Sequence, residues 1–175
     1  MCIFAAVSTN LILFMSMKKL CLAVVAALAL AACSEQRAPF NYRGLAFSMP
    51  VPAFVDSMLA RGFVVDSAAS DSGKTVVFAK ESEPYRVLVA FNGKTLEAVQ
   101  ENYQVGTNDS TRMLWQQLRD GLEKELGEWP DCPMLKDDHK IANFDTGEGF
   151  VSIVLENTYT PNLNVRYTPK SEDKK

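Results

Sequence analysis

Short links between β-rich segments are the feature that most restricts the fold of this chain. Asn92-Gly93, in the run FNGKT, is the strongest two-residue hairpin signal, because both residue types accept the positive φ angles of a tight hairpin turn. The runs SDSGK and ESEP supply further turns between segments rich in β-branched and aromatic residues. Parallel neighbours would need crossovers of about a dozen residues. The sequence therefore predicts a mainly antiparallel sheet.

Two segments carry apolar residues at helical spacing. The first follows the prolines at 50 and 52 and ends at Gly62; its apolar residues are Val51, Phe54, Val55, Met58 and Leu59. The second begins at the capping residues TNDS and ends at Gly127; its apolar residues are Met113 or Leu114, Leu118, Leu122 and Leu126. We expect both apolar stripes to face the sheet, with Phe54, Met58, Leu118 and Leu122 in the buried layer. Gly121 marks a place where another element could approach closely.

The order of these elements is the same in the two halves of the chain. Each half has a strand, a helix, a glycine stop and three or four further strands, which defines two βαβββ-like repeats at 44–92 and 93–168. The predicted fold class is α+β, with two helices packed on one face of a mainly antiparallel sheet. A single domain of two repeats would thus occupy residues 44–168, followed by a polar tail at 169–175.

The sheet face opposite the helices has a mixed character. In the run FVSIVLE, Val151, Ile153 and Leu155 point to the core, so Phe150 faces away. In LNVRY, Arg166 alternates with apolar residues and also faces away. A mixed sheet face can bind a partner, which makes Phe150 and Arg166 the candidates for ligand binding. The alternative is a partly apolar face that is simply exposed or covered by loops.

A search for catalytic or metal-binding sets finds none. His139 is the single histidine and lies in the polar run KDDHK, which is typical of a solvated turn, whereas a metal site needs three or more placed ligands. Trp115 and Trp129 are interpreted as packing residues. We therefore predict no catalytic residue, no metal and no cofactor. An envelope hydrolase that uses carboxylates in a cleft is the alternative, because the sequence does not show which acids converge.

The first 32 residues have the composition of an export signal. They contain no acidic residue, and Lys18 and Lys19 are their only basic residues. Every residue from Leu20 to Ala32 is apolar or small, and this run spans about 20 Å as a helix, less than the ~30 Å hydrocarbon core of a bilayer. If translation starts at Met17, the run MKKL forms an orderly positive segment. Residues 17–32 are then the signal peptide, and residues 1–16 are an extension that is not translated. The alternative is a long leader that includes residues 1–16.

The end of this leader, Leu30-Ala31-Ala32-Cys33, resembles the lipobox of bacterial lipoproteins. The resemblance implies that the Cys33 thiol receives a diacylglycerol, that cleavage occurs before Cys33, and that the new amino group is acylated. The chain also resembles small uncharacterised envelope lipoproteins of Bacteroides-type bacteria. We expect an exported protein anchored through Cys33 to the cell envelope, at the outer membrane, with residues 33–43 as a tether that reaches about 35 Å. An ordinary signal peptide with a chance cysteine is the alternative.

Charge and cysteine content restrict the partners of the mature chain. The leader holds two of the 18 basic residues, so 16 remain against 21 acidic residues, a net charge of −5. No basic block is present, which argues against nucleic-acid binding. Cys132 is the only cysteine left unmodified; we interpret it as a small buried hydrophobe and expect no internal disulfide. The expected function is a non-enzymatic binding or accessory module for an unknown protein or envelope-polymer partner.

Overall fold

The computed structural model of the protein describes residues 40–71, 73–133, 136, 138–157 and 160–170. These residues belong to one compact unit, Pro39–Lys175. Its elements in chain order are β1 (Asn41–Tyr42), β2 (Leu45–Ala46), α1 (Val51–Ala60), β3 (Val64–Val65), β4 (Thr75–Ala79), β5 (Tyr85–Asn92), β6 (Thr95–Tyr103), α2 (Asn108–Leu126), β7 (His139–Asp145), β8 (Gly149–Glu156) and β9 (Asn162–Pro169). The leader and Cys33 lie outside the described residues.

The main sheet has seven strands in the order β3-β4-β5-β6-β9-β8-β7, and all its neighbours are antiparallel. The hairpin signal at Asn92-Gly93 joins β5 to β6, but the turn is centred one residue later than expected, because Asn92 pairs with Thr95. Gly93 supplies the positive φ of this turn. The α+β class and the packing of two helices on the sheet are confirmed.

The two halves use their first strand differently. The second half is a complete βαβββ unit, in which β6 pairs with β9, β9 with β8, and β8 with β7. In the first half β2 pairs with β1 in a separate two-stranded ribbon. The place beside β5 is occupied by β6, so the first strand of the first half has no position in the main sheet.

Both helices contribute to one apolar core on the inner face of the sheet. Phe54 and Met58 of α1 and Leu122 of α2 are buried, as predicted, whereas Leu118 is only partly buried. Trp115 is also buried in this layer, which confirms its packing role. The cap of α2 follows the sequence signals: the Thr107 side chain accepts a hydrogen bond from the Ser110 N–H, and Gly127 ends the helix in the left-handed conformation.

Trp129 and Cys132, which both follow α2, are more exposed than expected. Trp129 is 84% exposed and Cys132 is exposed, so their assignments as packing residue and buried hydrophobe are wrong. Gly127 turns the chain away from the core, and the segment that follows meets the sheet edge through the bridge between Asp131 and Asn143. Apolar character alone does not place these side chains in the core.

The tether ends earlier than residue 43. Tyr42 is 1% exposed, Phe40 packs against the core, and Phe47 N–H donates a hydrogen bond to the Phe40 carbonyl. Residues 40–43 therefore belong to the folded domain, because Phe40 and Tyr42 bury aromatic surface in the core. At the other end, Pro169 belongs to β9 and not to the tail. Within the described part of the chain, no helix is both long and apolar enough to cross a membrane.

Candidate functional site

A buried carboxylate lies in the middle of the inner sheet face. The strand registers align one row of side chains across the sheet: Phe78, Val87, Glu101, Val165, Ile153 and Ala142. Five members of this row are apolar, and Glu101 is 1% exposed. A carboxylate removed from water in this way must be compensated by hydrogen-bond donors or by an opposite charge.

Glu101 receives four hydrogen bonds. Its Oε1 accepts from the Tyr42 hydroxyl at 2.8 Å and from Arg43 Nε at 2.7 Å. Its Oε2 accepts from Arg43 Nη2 at 3.1 Å and from the Tyr103 hydroxyl at 2.7 Å. Arg43 thus binds the carboxylate in a bidentate manner, and the four acceptor positions of the carboxylate are filled.

The turn between β1 and β2 places the Arg43 guanidinium on Glu101. Arg43 has a φ of 48° and Gly44 a φ of 83°, so Arg43 occupies a left-handed position that favours glycine or asparagine. Two contacts hold this turn: Asn41 Oδ1 accepts from the Gly44 N–H, and Arg61 Nη1 at the end of α1 donates to the Arg43 carbonyl. The ion pair with Glu101 offsets the strained backbone of Arg43, which typically costs about 1–3 kcal/mol.

Aromatic rings enclose this ion pair. Tyr42 meets Tyr167 edge-on at 5.2 Å between ring centroids, and Tyr85 lies 5.0 Å from Tyr103. The Arg43 guanidinium carbon is 5.1 Å from the centroid of Tyr85, within cation–π range. We call this set the Glu101 cluster; its members are Tyr42, Arg43, Tyr85, Glu101, Tyr103 and Tyr167.

Burial and the charge of Glu101 fix the protonation of the surrounding groups. Burial first, and then the carboxylate of Glu101, raise the pKa of Tyr42, Tyr103 and Tyr167 well above the ordinary value. Burial also raises the pKa of Tyr85 to about 12. For Arg43, burial opposes the charged form, but the hydrogen bonds and charge of Glu101 outweigh it and raise the pKa. All four tyrosines are therefore neutral at pH 7 and able to donate hydrogen bonds.

A pocket of about 310 Å³ lies beside the Glu101 cluster, between α2 and strands β6 and β9. Small-ligand pockets have volumes of about 300–1,000 Å³, so this one is at the small end of that range. Its floor is formed by Arg43, Glu101, Tyr103, Val165 and Tyr167, and its α2 wall by Gln117, Leu118, Gly121, Leu122 and Glu125. Leu118 is only partly buried because it lines this space.

Gly121 opens the α2 wall of the pocket. Apart from its chain neighbours and the adjacent backbone of its own helix, no heavy atom of the described residues lies within 4 Å of the position that a Cβ at Gly121 would occupy. The expectation that another element approaches Gly121 closely is therefore wrong. Glycine inside a helix costs about 1 kcal/mol relative to alanine, and here the missing side chain leaves room on the pocket side.

Two carboxylates, Glu101 and Glu125, line the same pocket. The oxygens of Glu101 already accept four hydrogen bonds, so Glu101 cannot take a proton or attack a substrate without losing a buried contact. Glu125 is exposed on the last turn of α2. Within the described ranges, no group of three or more His, Cys, Asp or Glu side chains is arranged to hold a metal ion.

The candidate site residues that the sequence predicts do not line the pocket. Phe150 is 42% exposed and Arg166 is exposed; Phe150 pairs with Thr168 and Arg166 with Ser152, so both lie on the sheet face away from the pocket. The Lys170 ammonium lies 4.8 Å from the Phe150 ring centroid. The lipidation candidate Cys33 lies outside the described residues. His139 is exposed at the start of β7, in agreement with a solvated position.

The sequence patterns did not predict the Glu101 cluster, although they contain a signal that Glu101 faces the core. In TLEAVQENY, Glu101 has the same parity as Val99 and Tyr103, so strict alternation places it on the core side. The register shifts where Ala90 and Phe91 of β5 pair with Ala98 and Leu96, and this irregularity interrupts the alternation at the start of β6 and hides the pattern. Tyr42 and Arg43 lay in the segment that we assigned to the tether.

Comparison with known proteins found no relative: no protein-family model, curated protein or solved structure matches this chain.

Proposed function

We propose that this chain is a lipid-anchored, non-enzymatic binding protein of the bacterial envelope, and that its domain binds a small ligand in the pocket beside the Glu101 cluster. The anchor part of the proposal comes from the leader and Cys33. One observation carries the binding part: a pocket of about 310 Å³ has a fully hydrogen-bonded carboxylate in its floor and an opening at Gly121 in its wall.

The hydrogen bonds of Glu101 support a preorganised binding site. Arg43 and Tyr103, which line the floor, are each fixed by a bond to the Glu101 carboxylate, and Tyr42, which does not line it, holds the same carboxylate. These two floor residues therefore keep their positions before a ligand arrives. A rigid site binds more tightly because less conformational freedom is lost on binding. The polar groups of the cluster thus serve to hold the shape of the pocket.

The alternative is a carboxylate-dependent envelope hydrolase, and one observation favours it: Glu125 lines the same pocket as Glu101. Such enzymes use one carboxyl group as acid and a second as base or nucleophile. The four hydrogen bonds to Glu101 argue against that use. Binding is therefore the function that the geometry supports better.

Phe150 and Arg166 remain proposed as a second surface for a protein or an envelope polymer. Both are accessible on the outer sheet face, and aromatic and arginine side chains are common at the centre of interfaces. This surface lies on the opposite side of the sheet from the pocket. The two surfaces can therefore be tested independently by substitution.

Molecules that co-purify with the full chain would test the pocket. We expect native mass spectrometry of the protein, extracted from envelopes in detergent, to detect a bound small molecule that is absent from Gly121→Leu, since the leucine side chain fills the pocket. Lys124→Leu adds the same side chain to an exposed position outside the pocket and should keep the molecule. Phe150→Ala and Arg166→Ala should also keep it. An identical set of molecules on the wild type and on Gly121→Leu would contradict the proposal.

A further inference from the structure

The positive and negative charges of the residues that line the pocket do not cancel. They are Arg43, Glu101 and Glu125. Arg43 and Glu101 neutralise each other through two N–H···O bonds. Within the described part of the chain, Glu125 has no ion pair and no side-chain hydrogen bond. The pocket therefore carries one uncompensated negative charge, and a ligand with a positive charge would compensate it.

The end of α2 adds to this negative potential. Glu125 is the penultimate residue of the helix, and the carbonyl groups of the last turn give that end a partial negative charge. Lys124 is the basic residue of the same turn, but it does not line the pocket. The helix end and the Glu125 carboxylate thus attract a cation to the same side of the pocket.

The remaining walls suit an organic body better than a bare metal ion. Leu118, Leu122 and Val165 offer apolar surface, and the rings of Tyr103 and Tyr167 offer aromatic surface that also attracts cations. A metal ion would need several oxygen ligands, whereas the Glu101 oxygens are already occupied. An ammonium group needs one carboxylate and aromatic neighbours, which this pocket has.

We infer that the pocket binds a small organic cation, with its ammonium group against Glu125 and its apolar body against Tyr103 and Tyr167. This inference rests on the proposed binding function and specifies the chemical class of its ligand. The cation is either a free amine or a lysine side chain of a polypeptide, since both present the same chemistry to Glu125.

Three probes with the same phenyl ring and the same number of carbon atoms test the charge preference: 3-phenylpropylammonium, 3-phenyl-1-propanol and 3-phenylpropionate. Titration calorimetry of each probe into the full chain in detergent should give a dissociation constant about fivefold lower for the ammonium than for the alcohol. The carboxylate should bind most weakly. A capped lysine, Nα-acetyl-lysine methylamide, assigns the source: tighter binding than the free amine points to a polypeptide, and weaker binding to a small molecule.

Matched variants connect the preference to the pocket. Glu125→Gln should remove the difference in affinity between the ammonium probe and the alcohol probe. Glu123→Gln makes the same charge change two residues earlier on α2, outside the pocket, and should keep it. Gly121→Leu should abolish binding of all probes. Thermal unfolding of each variant checks that the fold is retained. We expect Glu125→Gln to remain folded, because a carboxylate at a helix C-terminus contributes no favourable dipole interaction.

The outcomes separate this inference from the proposed function. Equal affinity for ammonium and alcohol, with both lost in Gly121→Leu, would overturn the cation inference and leave the binding pocket supported. A preference for the carboxylate probe would do the same. If no probe binds, the cation inference is overturned. If the probes bind equally well to the wild type and to Gly121→Leu, both the cation inference and the ligand-binding role of the pocket are overturned.

Discussion

Glu101 holds a buried network together, so its charge should contribute measurably to stability. Glu101→Gln keeps the side-chain volume but breaks the ion pair with Arg43. We expect the free energy of unfolding to fall by about 2–3 kcal/mol, less than for a wholly buried pair because Arg43 is 46% exposed and regains water. Urea unfolding measures the change. Glu97→Gln, at an exposed position of the same strand, is the control and should have little effect; equal stability of the two variants would contradict the role given to Glu101.

The tyrosines of the Glu101 cluster predict a loss of stability at alkaline pH. Their pKa values are raised in the folded state above the ordinary value of 10.0, so the unfolded chain loses these protons first. Their contribution is complete below about pH 10 and decreases as pH rises towards the folded pKa, by about 1.4 kcal/mol per pH unit for each tyrosine. For Tyr85 this interval ends at about pH 12.

Tyr103→Phe tests this pH dependence. The variant removes one titrating hydroxyl, so the slope of unfolding free energy against pH should decrease by the contribution of one tyrosine. Urea unfolding between about pH 9 and about pH 11 measures both slopes. The variant should be less stable at neutral pH, because a hydrogen bond to a charged group is lost, by about 1.5 kcal/mol. Parallel curves for wild type and variant would contradict the assignment.

At the scale of elements, the glycine inside α2 and the glycine that ends it should respond in opposite ways to the same substitution. Gly121→Ala adds a Cβ in open space within the helix and should raise stability by about 0.5–1 kcal/mol. Gly127→Ala places a Cβ at a φ of 68° and should lower stability by about 1 kcal/mol. Thermal unfolding compares the two variants. A loss of stability in Gly121→Ala would show that the helix needs glycine there for a reason other than the pocket.

The helices and turns could be predicted because their signals are local. Thr107 and Gly127 set the two ends of α2 through contacts with residues three or four positions away. The spacing of apolar residues correctly predicts that Phe54, Met58 and Leu122 are buried. The site depends on pairs far apart in sequence. Tyr42 and Glu101 are separated by 59 positions, so their contact follows from the strand register and from the β1–β2 ribbon. No local pattern in the sequence contains that information.

At the scale of the whole molecule, the folded domain begins closer to the proposed anchor than the sequence indicated. Phe40 already packs against the core, which leaves residues 34–39 between Cys33 and the domain. Such a segment reaches about 25 Å when fully extended, compared with about 35 Å for a tether that ends at Arg43. The same ribbon supplies Arg43 to the pocket floor and Tyr42 as a hydrogen-bond donor to Glu101. The proposed tether therefore leads directly into residues that shape the binding site.

Cys33→Ser tests the proposed anchor. Each buried CH₂ of an acyl chain contributes about 0.8 kcal/mol, and one chain holds a protein only marginally, so two or three chains on Cys33 should retain it firmly in the membrane. We expect the wild type to partition into detergent and Cys33→Ser to appear in the soluble fraction or to accumulate as a precursor. Cys132→Ser changes the other cysteine outside the leader, one that is exposed on the folded domain, and should partition like the wild type. A Cys33→Ser protein that is processed and stays membrane-bound would contradict lipidation at Cys33.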